Sequence, residues 1–229
     1  MTEILKRNLE DVRQRMAAAC GRAGRQPDDV ALVAVTKTVG PEVIQALPAL
    51  GATDIGENRV QDACAKHEAL GGSLGLRWHM IGHLQTNKVR HALPLFVLIH
   101  SVDSLHLAAE IDRRAEPTGS VVPILVEVNV SGEGSKFGVR PADLVPLLCG
   151  LVELKQVRVE GLMAMAPFVD DPETTRPCFA ALRELAAKAR AATGLALPHL
   201  SMGMTQDFEV AIEEGATLIR VGTALFRGV

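Results

Sequence analysis

One lysine, Lys37, ends the most apolar run in the chain, VALVAVTK at positions 30–37. Held against Val33 and Val35, its ammonium would be partly desolvated, and burial favours the neutral amine. A neutral amine is the form that attacks an aldehyde and makes a Schiff base. A lysine at a strand end can equally snorkel past it into water, so this residue alone leaves both readings open.

A second group of residues suggests an anion. In LSMGMTQDFEVAIEEGA, Ser201 and Gly203 precede a helix expected to start near Thr205. Backbone N–H groups and a hydroxyl at a helix N-terminus suit a phosphate dianion. In TLIRVGTALF, Gly222 and Thr223 follow an apolar run, and their amides can face the same anion. Isolated glycines also serve simply to turn the chain. Other patterns carry less. His79 and His83 have the H-x-x-x-H spacing of a helical zinc site, but WHMIGH reads as a strand running into a loop. There the two would stand roughly 13 Å apart, so no metal site is expected. SGEGSKFG, with Gly132 and Gly134, matches neither a dinucleotide-binding nor a P-loop spacing. The pairs Asp28–Asp29, Asp170–Asp171 and Glu213–Glu214 read as solvated helix flanks.

Positioning these groups falls to a regular alternation. Ile4, Leu5, Leu9, Val12 and Met16 recur at helical spacing and predict an amphipathic N-terminal helix ending near Gly21. The β-branched run 30–37 has no wet face, as expected of a strand covered on both sides. Pro41 opens the next helix, where a missing N–H does no harm. Further strands are expected at 53–56, 77–82, 96–101, 122–129, 157–163, 197–201 and 217–221, and helices at 59–70, 86–92, 104–115, 141–150, 172–193 and 205–214. Eight βα units without a composition break predict an α/β fold, a single (β/α)8 TIM barrel over 1–229 with an extra N-terminal helix. Periodicity does not exclude an open sheet. In a barrel, chemistry belongs at the C-terminal strand ends, where Lys37, Glu57, Asn58, His83, Gln85, Asn129, Ser201, Arg220, Gly222 and Thr223 would gather.

Composition bounds the partners. The net charge of -3 gives no reason to expect nucleic acid or an anionic membrane. No apolar run approaches the roughly 20 residues of a membrane helix, and MTEILKRNLEDVRQRM lacks the apolar stretch of a secretory signal. Cys20, Cys64, Cys149 and Cys178 lie far apart, which fits reduced thiols and a cytoplasmic location.

VAVTKTV, IGENRVQD, WHMIGHLQTNK, GSKFGV, GLMAMAP, LSMGMTQDF and IRVGTALF, in this order, resemble the pyridoxal phosphate homeostasis proteins. The resemblance spans about 30–226 and implies a barrel like that of alanine racemase, fold type III. It implies pyridoxal 5'-phosphate as cofactor, held as a Schiff base on Lys37. Ser201, Gly222 and Thr223, with Met202 and Gly203, would hold the phosphate. Arg220 would face the pyridine nitrogen, and Asn58 the lysine and the phenolic edge. The chain departs from the family at its end, where Arg227 precedes Gly228, a place expected to lie outside the site.

A guanidinium only donates, so Arg220 would leave the ring nitrogen unprotonated and the ring a weaker electron sink. That disfavours transaminase or decarboxylase chemistry. Alanine racemase adds a tyrosine base from a second domain, whereas this sequence has no tyrosine and 229 residues leave no room for that domain. The expectation is a monomeric, non-catalytic carrier, without catalytic residues, that limits free aldehyde and delivers cofactor to apo-enzymes. The alternatives are a fold-type-III racemase using Lys37 as one of two bases, and a sugar-phosphate enzyme using it on a ketose.

Overall fold

The eight apolar runs form eight short parallel strands, because each is followed by a segment with helical periodicity that must fold back across the sheet. In the computed structural model these are β1 Ala31–Val35, β2 Asp54–Glu57, β3 Arg77–Met80, β4 Phe96–Val102, β5 Val122–Glu127, β6 Val157–Met163, β7 His199–Ser201 and β8 Leu218–Val221. The structure describes residues 1–72, 74–132 and 137–229; Gly134 of SGEGSKFG lies outside the described residues. The strands pair in sequence order, and β1 closes on β8 with Ala31 opposite Leu218 and Ala34 opposite Val221. The barrel is closed, as the eightfold alternation predicts, and the open sheet is excluded.

The helices are α1 Thr2–Arg22, α2 Pro41–Ile44, α3 Val60–Ala69, α4 Val89–Ala92, α5 Leu105–Ala115, α6 Leu144–Val152, α7 Arg176–Thr193, α8 Phe208–Glu213 and α9 Thr223–Phe226. Two expectations need correction here. The helix expected from Thr205 begins only at Phe208; Thr205–Asp207 form a turn in which the Asp207 carboxylate accepts the Met204 amide at 2.6 Å. Glu213 and Glu214 are not solvated flanks. Glu213 pairs with Arg22 and with Arg176, each at 2.6 Å, while Glu214 pairs with Arg176 at 3.0 Å and with Arg183. These carboxylates join α1, α7 and α8.

Apolar packing falls into two compartments. The larger lies between strands and helices and includes Trp78, Phe179, Phe208, Ile44 and Ile99. The smaller is a separate cluster of Val33, Leu98, Leu125, Met163 and Leu218, drawn from five strands. Deeply buried polar side chains accompany it on the strands: His79, His100, Ser201, Glu127 and Arg220. Among the described residues no helix is long and apolar enough to cross a membrane.

The N-terminal helix is an added layer. Its buried face, Leu5, Leu9, Val12, Met16 and Ala19, packs on α8 and α9. The Asn8 amide donates to the carbonyls of Leu225 at 2.9 Å and Arg227 at 3.0 Å, and Arg15 pairs with Glu209 at 2.7 Å. Leu9 is fully enclosed in this seam. Leu9→Ala should therefore cost about 2–5 kcal/mol, read as a lower urea midpoint at unchanged slope.

Candidate functional site

A cavity of about 560 Å³ opens at the C-terminal end of the barrel. Its wall takes residues from the ends of seven strands: Val35, Lys37 and Thr38 after β1, Asn58 after β2, Ile81–His83 after β3, Glu127 on β5, Met165 and Phe168 after β6, Met204–Gln206 after β7, and Arg220, Gly222 and Thr223 on and after β8. The size suits a small organic ligand.

The approach to Lys37 is held from below. Glu57, fully buried on β2, accepts the Thr36 hydroxyl at 2.6 Å and the Lys66 ammonium at 2.7 Å, and Lys66 also donates to the Thr36 carbonyl at 2.7 Å. This clamp fixes the residue before Lys37, and Glu57 belongs to it rather than to the cavity. The Lys37 side chain itself is exposed. Desolvation by the apolar strand, expected from sequence, is therefore not what surrounds it. Beside it, a Cβ on Gly82 would come within 2.4 Å of the Asn58 carbonyl oxygen, so only glycine lets the β2 and β3 ends approach closely enough to set Asn58 at the wall.

Of the residues predicted to form one site, Lys37, Asn58, Arg220, Gly222 and Thr223 share this cavity. Ser201, Met202 and Gly203 lie behind it. The Ser201 hydroxyl is fully buried and engaged at 2.5 Å by Arg220 Nη1 and at 2.9 Å by His100 Nδ1. Gly203, at φ +89°, carries the carbonyl that accepts the Arg220 amide at 3.0 Å. The wall at β7 is formed instead by Met204, Thr205 and Gln206, and the Thr205 hydroxyl accepts the Ala224 amide at 3.3 Å. Arg227, expected outside the site, is part of the wall. Asn129 does not line it; its side-chain oxygen accepts the Ser131 hydroxyl and the Gly132 amide. His83 stacks on Phe137 with ring centroids 4.1 Å apart at the rim.

Arg220 is 4% exposed, and burial pushes its pKa down to about 10, with Glu127 and Asp207 opposing that fall. It remains a cation at neutral pH. Its Nη1 donates to Ser201, and its Nη2 donates to the Ala164 carbonyl at 3.0 Å. Glu127, 3% exposed, was not singled out from sequence. Burial first, then the charge of Asp103, raises its carboxyl to about 7, and Arg220 offsets only part of this. Burial raises Asp207 as well, against the pull of the Met204 amide and Arg220. At neutral pH Glu127 is thus only partly ionised beside Arg220.

The comparisons with known proteins bear on the family and the fold. Residues 5–228 match the family described as alanine racemase, N-terminal domain. A pyridoxal phosphate homeostasis protein of Aquifex aeolicus is 50% identical over 218 residues, covering 95% of each chain. This chain belongs to that family. The resemblance drawn from the seven motifs is therefore borne out. The structure of PipY from Synechococcus elongatus, described with PLP bound, is 38% identical, with a TM-score of 0.85 over 97% of this chain and 99% of that one. An alanine racemase from Clostridium difficile, at 15% identity, shares the fold with a TM-score of 0.77 over 98% of this chain and 56% of that one.

Glu127 makes the apo-protein pH-sensitive in a defined direction. Its folded pKa lies above the ordinary 4.5, so its contribution to stability is full below that value and is lost as pH rises through about 7. The shift amounts to about 3 kcal/mol. Glu127→Gln should abolish this loss, so urea titrations from about pH 4 to about pH 8 should show the wild type weakening relative to the variant. Parallel stability curves would contradict the raised pKa.

Proposed function

We propose that this chain binds pyridoxal 5'-phosphate at the barrel mouth and serves homeostasis of that cofactor, holding it on Lys37 and handing it to apo-enzymes. The observation that carries the reading is the meeting of Lys37, Asn58, Arg220, Gly222 and Thr223 on one open cavity. The relatives named for this role, and the PLP described in PipY, supply the cofactor's identity.

The donor set fits. The cofactor, when bound, supplies an aldehyde that condenses with the Lys37 amine and releases water. Lys37 is exposed, so the amine can be reached by an incoming competitor and can take the cofactor back. The amides of Gly222 and Thr223, with Thr205, would hold the phosphate; Gly222 packs so closely on β1 that an added Cβ would lie 3.2 Å from the Val35 carbonyl. Arg220 would donate to the pyridine nitrogen and, being only a donor, would keep it unprotonated. Asn58 steadies the edge nearest Lys37. Met202 and Gly203 support the wall from behind. With its four cysteines far apart in sequence, the chain is read as a monomer working in a reducing cytoplasm.

A racemase is the second reading, and one observation favours it: Glu127, with a pKa of about 7, shares the cavity with Lys37 and is suited to proton transfer. The carrier is preferred because the cavity is open. Water in an open mouth screens the electrostatics that catalysis relies on, while exchange needs only access.

Lys37→Ala should stay folded and lose the borohydride-reducible adduct that wild type forms with the cofactor; an adduct retained on another lysine would overturn Lys37. Loaded wild type should restore activity to an apo-form of a pyridoxal-phosphate enzyme, and Lys37→Ala should alter that delivery. Racemisation of a single amino acid at more than about 1 per second would replace the carrier with the racemase.

A further inference from the structure

Behind Arg220 runs a continuous line of buried side chains. Arg220 Nη1 lies 2.5 Å from Ser201 Oγ, Ser201 Oγ 2.9 Å from His100 Nδ1, His100 Nε2 3.0 Å from His79 Nδ1, and His79 Nε2 2.8 Å from Asp54 Oδ1. The members come from β8, β7, β4, β3 and β2. His79, His100, Ser201 and Arg220 are each at most 4% exposed. Asp54 lines a separate cavity at the opposite end of the barrel, with Ala31 and Leu32 at the start of β1 and Thr53 ahead of β2.

The two ends decide the direction of every bond between them. A guanidinium only donates and a carboxylate only accepts. Ser201 therefore accepts from Arg220 and passes its own proton to His100 Nδ1. His100 then carries its proton on Nε2 and donates to His79 Nδ1, and His79 carries its proton on Nε2 and donates to Asp54. This order satisfies all four bonds with one proton on each imidazole. A second proton on either ring would break it. Ser201 would then face N–H groups from both sides, leaving its own proton without the His100 acceptor.

We infer that Asp54, His79, His100 and Ser201 form a one-way hydrogen-bond relay that positions the Arg220 guanidinium at the mouth, and that the ring contact proposed above depends on it. The four are positioning residues, since none lines the mouth cavity. The surroundings agree. Burial, then His79, Arg220 and His199, hold His100 well below the ordinary histidine range. Burial pushes Asp54 up, but His79 and Arg77 outweigh it and keep the carboxyl low. The other charged or titratable groups facing the line are Arg77 and His199 beside His79, and Glu127 and Asp207 beside Arg220. Two of the five guanidinium N–H bonds are used by Ser201 and Ala164, which leaves donors for a ligand.

The inference rests partly on the cofactor reading, so the test has two arms. In the ligand-free protein, nitrogen NMR of labelled histidine at neutral pH should show His79 and His100 each as the Nε2-protonated tautomer. A proton on Nδ1 of either ring, or a doubly protonated His100, would overturn the relay without touching the cofactor reading. In protein loaded with pyridoxal 5'-phosphate, Ser201→Ala and His100→Leu should shift the cofactor's absorption band and its pH profile in the same sense as Arg220→Gln. His100→Gln should restore the wild-type band, because its amide can accept from Ser201 and donate to His79. An unchanged band in Ser201→Ala and His100→Leu, beside a shifted one in Arg220→Gln, would overturn the positioning role. No shift even in Arg220→Gln would overturn the ring contact and that role together, leaving the tautomers to decide the relay.

Discussion

A guanidinium inside a β-barrel has no neutral form available at physiological pH, and its charge must be met by dipoles and carboxylates fixed in advance. Arg220 imposes that demand on its neighbours. The carbonyl of Ala164, the hydroxyl of Ser201, and the carboxylates of Glu127 and Asp207 accept from it or lie in its field. Much of the polar content of the barrel interior follows. Where a (β/α)8 barrel commonly fills its centre with branched aliphatic side chains, this one keeps only Val33, Leu98, Leu125, Met163 and Leu218 as an apolar cluster.

The same arrangement shapes the mouth electrically. A strong carboxylate against Arg220 would cancel its charge and repel a phosphate. Burial instead holds the Glu127 carboxyl at about 7 and raises Asp207 above its ordinary value, so Glu127 offsets the arginine's charge only in part at neutral pH. The rim is chemically different. Phe137, Met165 and Phe168 stand exposed around the opening, and Phe168 is 79% exposed. A polar, cationic interior beneath an apolar rim admits a small anionic ring compound while leaving the lysine in contact with water.

Much of this was legible from one sequence because a βα barrel writes its plan in apolar runs. The strand starting at Arg77 and the whole of 157–163 emerge directly from hydrophobic pattern, and Lys37, Asn58, Arg220, Gly222 and Thr223 stand at strand ends where barrel chemistry belongs. What escaped were side chains whose meaning depends on which way a strand residue points. His79 between Trp78 and Met80, His100 after Ile99, and Glu127 within VPILVEVNV are polar residues in apolar strands, and such interruptions are the sequence signal of inward polar placement. The helix expected from Thr205 begins at Phe208, and the signal for that later start was Asp207, a residue type that favours helix starts. Glu213 and Glu214 were misread because their partners, Arg22, Arg176 and Arg183, lie at least 30 positions away, beyond the reach of local pattern.

The seam between α1 and the last two helices has a consequence for how the molecule is made. Arg15 meets Glu209 across 194 positions, and Asn8 meets Arg227 across 219. The α1 helix therefore leaves the ribosome long before its partners and is among the last surfaces to be covered. Until α8 and α9 have been synthesised, Leu5, Leu9, Val12 and Met16 have no partner in that seam, and β1 lacks β8 on one edge. At a synthesis rate of about 5–20 residues per second, that interval lasts on the order of ten seconds or more. Over that time the nascent chain displays an apolar helix face and an unpaired strand edge together, a pairing that invites chaperone capture or self-association. Synthesis of α8, β8 and α9 supplies the partners for both, which makes barrel closure a late event on the way to a competent mouth.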